Sequence, residues 1–167
     1  IQLLGMAIPY FQKSIEAAKR LLIDRGASES FTGSNLYAAW YQRGDIVEFK
    51  AVPMQEVTSI GYSFASQTAL VSFPAMSFPA LTYAGGAFQN NASMNDFGAI
   101  QAPLCTNFSY AWQGCSSLTS FPAGAKLGTE ATGSVSFSSA WQASGLTSFS
   151  TPLPTATAVN LAWINCT

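Results

Sequence analysis

Ala111-Trp112-Gln113-Gly114-Cys115-Ser116-Ser117-Leu118-Thr119-Ser120-Phe121-Pro122 is the stretch that organises this chain. A ring opens it, an apolar residue follows six positions on, and a Phe follows nine positions on. The same frame recurs upstream. Trp40 leads Ile46 and Phe49, Phe64 leads Leu70 and Phe73, and Phe88 leads Met94 and Phe97. These four starts are 24 residues apart. Trp141 follows 29 residues later, with Leu146 and Phe149 one position early, and Trp163 follows after another 22. A near-fixed period of this size marks units that cannot bury their own apolar face and must stack on their neighbours. The expected fold class is an α/β solenoid of short helix or turn plus short strand units over residues 35–167, preceded by a helical cap or docking segment over residues 1–34.

Composition fits such an array. Only 9% of the 167 residues are charged, against about 25% in ordinary soluble domains. The net charge of -1 gives no electrostatic basis for binding nucleic acid or an anionic membrane. No apolar run approaches the roughly 20 residues of a membrane span. Of the 15 charged residues, only Asp96, Lys126 and Glu130 lie beyond Glu56. The chain therefore divides into a charged first third and a neutral remainder. In the first segment Phe11, Ile15, Ala18 and Leu22 recur at helical spacing, after Pro9 and before Gly26. Glu16, Arg20 and Asp24 follow one another at i,i+4 on the other face. The expectation is an amphipathic helix that caps the first repeat, docks the protein into an assembly, or does both.

Within each repeat the pairs Leu36/Trp40, Ile60/Phe64, Phe137/Trp141 and Val159/Trp163 stand four residues apart, as does Phe108/Trp112. That spacing predicts a short helix or helical turn. Leu70–Pro74 and Leu118–Pro122 read as short strands, each closed by Pro. Their Leu and Phe are three apart, so a bend must separate them. Stretches 77–86, 124–134 and 150–158 are rich in Gly, Pro, Ser and Thr and read as loops.

The string Ser59-Ile60-Gly61-Tyr62-Ser63-Phe64 with Leu70 and Phe73, and the string at 111–122, resemble the BspA-like, or Treponema-type, leucine-rich repeat. The resemblance spans residues 35–167 and departs from the family form in its Trp and Phe starts and its spacing at 141 and 163. It implies a surface adhesin or a bacteriophage tail-fibre or other virion protein. The expected function is thus a structural, adhesive virion appendage, with a bacterial cell-surface adhesin as the alternative. The expected partners are other assembly proteins, host-surface glycan or protein, and further copies of the chain in a homo-oligomer.

Chemistry is sparsely provided for. There is no His, the commonest general base and zinc ligand. Past residue 50 the carboxylates are Glu56, Asp96 and Glu130, far apart in sequence. Asp45 and Glu48 flank Ile46 and Phe49 and read as a solvated face. No catalytic, cofactor-binding or metal-binding residue is expected. Cys115 and Cys166 fall three residues after Trp112 and Trp163, a slot also filled by Arg43, Gln67, Asn91 and Ser144. Metal or redox chemistry is not expected there. Cys105 stands alone in a loop, where an intermolecular bond stays open. The Asn-X-Ser/Thr sequons at Asn91, Asn107 and Asn165 are read as chance. Trp40, Phe64, Phe88, Trp112, Trp141 and Trp163 are expected in the core, which leaves Gln89, Asn90 and Asn91, or Gln113 and Gly114, as the candidate receptor surface. The sequence stops just inside a new repeat, with no Leu six residues after Trp163, and is read as truncated from a longer protein.

Overall fold

The computed structural model describes residues 34–155 and 157–166. Its architecture rests on six ring-bearing turns. In the first, the backbone N–H groups alternate in direction. Those of Leu36, Ala38, Trp40 and Gln42 donate to the carbonyls of Ser59, Gly61, Ser63 and Ala65 in the next unit, at 2.8–3.1 Å. Those of Ala39, Tyr41 and Arg43 turn back to the carbonyls of Leu36, Ala38 and Trp40. The inter-unit half of this pattern repeats from Ile60, Ala84, Phe108 and Phe137. Each unit is thereby joined to the next through its backbone, and each turn also closes on itself.

These turns require positive φ. Ala38 and Gln42, Tyr62 and Ser66, Gly86 and Asn90, Tyr110 and Gly114, Ser139 and Ala143, and Leu161 and Asn165 form six pairs of left-handed residues. Each member is the third residue of a four-residue turn, the position that favours Gly or Asn in type II turns. Gly86, Gly114, Asn90 and Asn165 suit it; the Ala, Tyr, Ser, Gln and Leu residues are held there by their neighbours.

The strands are short: β1 (Ser72–Phe73), β2 (Met76–Ser77), β3 (Asp96–Phe97), β4 (Ile100–Ala102), β5 (Ser120–Phe121), β6 (Lys126–Leu127), β7 (Val135–Ser136), β8 (Ser148–Phe149) and β9 (Thr157–Ala158). They form four separate sheets, β1-β3, β2-β4-β6, β5-β8 and β7-β9, all parallel. Isolated parallel bridges link Asn35, Ser59, Tyr83, Asn107 and Ser136 in succession.

This overturns the expected α/β solenoid of helical and strand units over the described residues. There is no helix among the described residues, and the strands do not join into a continuous sheet. The i,i+4 apolar pairs lie on consecutive four-residue turns, which return a side chain to the same side every fourth residue, as a helix does. The expected strands shrink to the Ser–Phe pairs of β1 and β5. The expected loops contain β6 and β9. The segment 1–34, with Phe11, Ile15, Ala18 and Leu22, lies outside the described residues apart from Ser34.

Two aromatic columns fill the interior. Trp40, Phe64, Phe88, Trp112, Trp141 and Trp163 stack in succession, with centroids 5.0–5.9 Å apart and planes 4–13° from parallel. Phe49, Phe73, Phe97, Phe121 and Phe149 form the second column at 5.3–5.7 Å. The two meet edge to face, as at Phe97–Trp112 (82°) and Phe121–Trp141 (84°). Both separations follow from the ~4.7–4.9 Å spacing of parallel-paired backbone. Leu70, Met94, Leu118 and Leu146 are buried beside them, while Ile46 and Phe149 are half-buried. Trp163 remains 39% exposed, with Trp141 on one face and the edge of Phe149 beside it.

Candidate binding face

Much of the polar chemistry is used internally. The slot three residues after each ring is a hydrogen-bonding position. The Asn91 side chain donates to the Phe64 carbonyl (2.8 Å) and accepts from the Gln67 N–H (2.8 Å). Gln67 donates to the Trp40 carbonyl, Cys115 to the Phe88 carbonyl (3.2 Å) and Cys166 to the Trp141 carbonyl (3.1 Å). Gln67, Asn91, Cys115 and Ser144 are buried. Directly after the ring, Gln89, Gln113 and Gln142 form an amide ladder, Gln113 donating to Gln142 at 2.7 Å. Thr58, Thr82 and Thr106 form a hydroxyl ladder, each donating to the carbonyl 24 residues earlier.

These ladders correct the candidate receptor surface. Asn91 is fully buried, and Gln89 and Gln113 are half-buried and engaged with each other. Of that set Asn90 is exposed, and Gly114 packs under its side chain. Cys105 is also placed differently from the expectation. It is fully buried in line with Val57 and Leu81, and burial pushes its thiol up to about 12. Burial does the same to Cys115. Asp45 and Glu48 are exposed and pair locally, Asp45 with Arg43 at 2.7 Å and Glu48 with Lys50.

Several tyrosines are among the side chains that the turns leave outside. Tyr37 is 43% exposed, Tyr110 42% and Tyr83 36%, and Tyr62 is half-buried. Tyr37 and Tyr62 meet edge to face, with centroids 5.8 Å apart. Tyr83 joins them over a floor of glycines. A Cβ at Gly61 would lie 2.6 Å from Tyr83 Cε1 and 2.8 Å from Tyr37 Cδ2. One at Gly85 would lie 2.6 Å from Tyr83 Cζ, and one at Gly86 2.7 Å from Tyr62 Cδ1. The rings therefore lie down on bare backbone. The Tyr83 hydroxyl is held above the usual tyrosine value, first by burial and then by Tyr62 and Tyr37. Residues 34–42 and 57–95, which build this face, contain no charge.

Protein-family models, curated proteins and solved structures were compared with the chain, and none matches it. The site is therefore read from its own chemistry. Among the described residues no group of His, Cys, Asp and Glu is arranged to hold a metal, and no helix is long and apolar enough to cross a membrane. A concavity of about 450 Å³ is lined by Gly128, Thr129, Ala131, Pro152, Leu153 and Pro154, among others. Its lining carries no titratable side chain. The tyrosine face went unread in the sequence because its rings do not share one repeat slot. The available signal was Gly61, Gly85 and Gly86, spaced about one repeat from Tyr37 and Tyr62.

Proposed function

We propose that this chain is a structural and adhesive component of a bacteriophage appendage, a tail fibre or similar, that attaches through its N-terminal segment and presents its repeats to the host surface. The observation that supports this reading is the uncharged tyrosine face carried on an internally satisfied stack of turns. The backbone, the amide ladder and the Thr ladder hold the units to one another. The rings rest on glycines of neighbouring units and leave part of their surface exposed. A virion protein of this kind works as a homo-oligomer alongside other assembly proteins, and its target is a glycan or protein on the host envelope.

The test is attachment. Fluorescently labelled full-length chain should adhere to intact cells of a restricted set of bacteria, and its gene should lie beside tail or baseplate genes. A gene encoding a cell-wall anchor in the same reading frame would replace the virion with a bacterial surface as the site of attachment. Failure to adhere to any cell envelope would remove the adhesive reading.

A further inference from the structure

We propose that Tyr37, Tyr62 and Tyr83, lying over Gly61, Gly85 and Gly86, form a subsite for a neutral sugar chain. The inference rests on the adhesive reading above and goes on to name the ligand chemistry and the residues. Three features converge. The rings are partly exposed and mutually braced, with Tyr37 edge-on to Tyr62. They lie on glycine backbone, where any side chain would push them up. Their hydroxyls make no hydrogen bond among the described residues, whereas that of Tyr41 accepts from Gln42 at 3.3 Å. An apolar ring face beside unused hydroxyls matches a pyranose, which offers C–H groups on its faces and hydroxyls around its rim. Tyr also supplies rigid amphipathic contact at low entropic cost.

Charge and size narrow the occupant. With no charged residue in 34–42 or 57–95, nothing in these segments favours an acidic polysaccharide or a charged peptide. Three partly exposed rings offer far less than the ~800 Å² per partner of a stable protein interface. They do match two or three sugar units. The Tyr83 position adds a second consideration. It stands in the bridge column with Asn35, Ser59 and Asn107, so its ring projects where the neighbouring units carry short polar side chains. The subsite is therefore local to the first three units and is not repeated along the stack.

The probe is an array of neutral hexasaccharides built on glucose, mannose, galactose and N-acetylglucosamine, with positives followed by titration calorimetry on the full chain. Binding is expected at micromolar to millimolar Kd, changing less than twofold between low and high salt. Tyr37→Ala and Tyr83→Ala should each weaken it at least tenfold, with a cooperative unfolding transition retained. Tyr83→Phe keeps the ring and should weaken it less. Gly61→Ser, which lifts two rings, should weaken it while every tyrosine remains. If a hexasaccharide binds and these variants bind it equally well, the subsite is overturned. If no hexasaccharide binds but the chain still adheres to cells, the adhesive reading stands and this inference falls. If the tyrosine variants instead abolish self-association, the face is a contact between copies and the proposal is wrong.

Discussion

At the residue scale the structure distinguishes side chains that fill space from those that hold register. Trp112 is fully buried between Phe88 and Trp141, so Trp112→Ala should cost about 3–5 kcal/mol. Trp112→Phe should cost much less. Its Nε1 is buried without a partner, and the same column already accepts Phe64 and Phe88; denaturant midpoints of the two variants decide this. Asn91→Ala leaves the Phe64 carbonyl and the Gln67 N–H without their Asn91 partners, which should cost about 1–3 kcal/mol in the same assay. Ala143 shows the opposite sign. It is exposed, sits at φ 54, and is stacked next to Gly114 at φ 72. Ala143→Gly should stabilise by up to about 1 kcal/mol, because left-handed geometry costs a non-Gly residue roughly 1–2 kcal/mol and glycine's entropy takes back part of that. The buried thiols give a pH signature. Cys105 and Cys115 are raised from 9.0 to about 12. The unfolded chain ionises first, so their contribution is full below pH 9 and is lost as pH rises towards 12. A Cys105→Ala, Cys115→Ala double variant should show a flatter fall in stability across that window.

At the element scale, the rings of each unit were legible in the sequence and the backbone that carries them was not. Trp40, Phe64 and Phe88 announce themselves because one ring must meet the next at a fixed interval. The pairs Leu36/Trp40 and Ile60/Phe64 announce a face, but a four-residue spacing fits two successive turns as well as a helix. The deciding signal is the identity of the third turn residue, and it is weak here: Gly86, Asn90, Gly114 and Asn165 are outnumbered by residues such as Ala38 and Tyr62. Strands of two residues leave no alternation to read, and β6 and β9 are placed by their neighbours more than by propensity. The tyrosine face was hidden for a related reason, since it is assembled across units from slots that differ. Close approach also sets element-scale limits. A Cβ at Gly98 would fall 2.5 Å from the Pro74 carbonyl carbon and 2.7 Å from Ala75 Cα, just past the ends of β3 and β1. Because both are backbone atoms, Gly98→Ala should displace the β1–β3 pairing and destabilise by about 1–3 kcal/mol. Chemical shifts of Phe73 and Phe97 should move with it.

At the scale of the whole molecule, register is the organising constraint, and it can be tested by removing one unit. Excising residues 59–82 joins Thr58 directly to Tyr83, the residue that Ser59 bridges in the next unit. Each partner lost then has an equivalent. The Leu36 N–H, which donates to Ser59, meets the Tyr83 carbonyl, and Trp40 meets Phe88 where Phe64 stood. Asn91 meets the Trp40 carbonyl that Gln67 had bonded, and Thr106 meets Thr58 in place of Thr82. Phe49 likewise finds Phe97. The shortened chain should fold cooperatively with native-like near-ultraviolet dichroism and a lower midpoint, since stability in stacked repeats is close to a sum over units and their interfaces. Excising only 59–70 should not fold. It sets Val71 against Asn35, Ser72 against Leu36, Met76 against Trp40, Thr82 against Ile46 and Gly85 against Phe49, so neither Trp40 nor Phe49 meets a ring at the upstream junction. If the half-unit deletion is as stable as the full-unit one, side-chain register does not hold the stack together, and the turn backbone alone must be doing so.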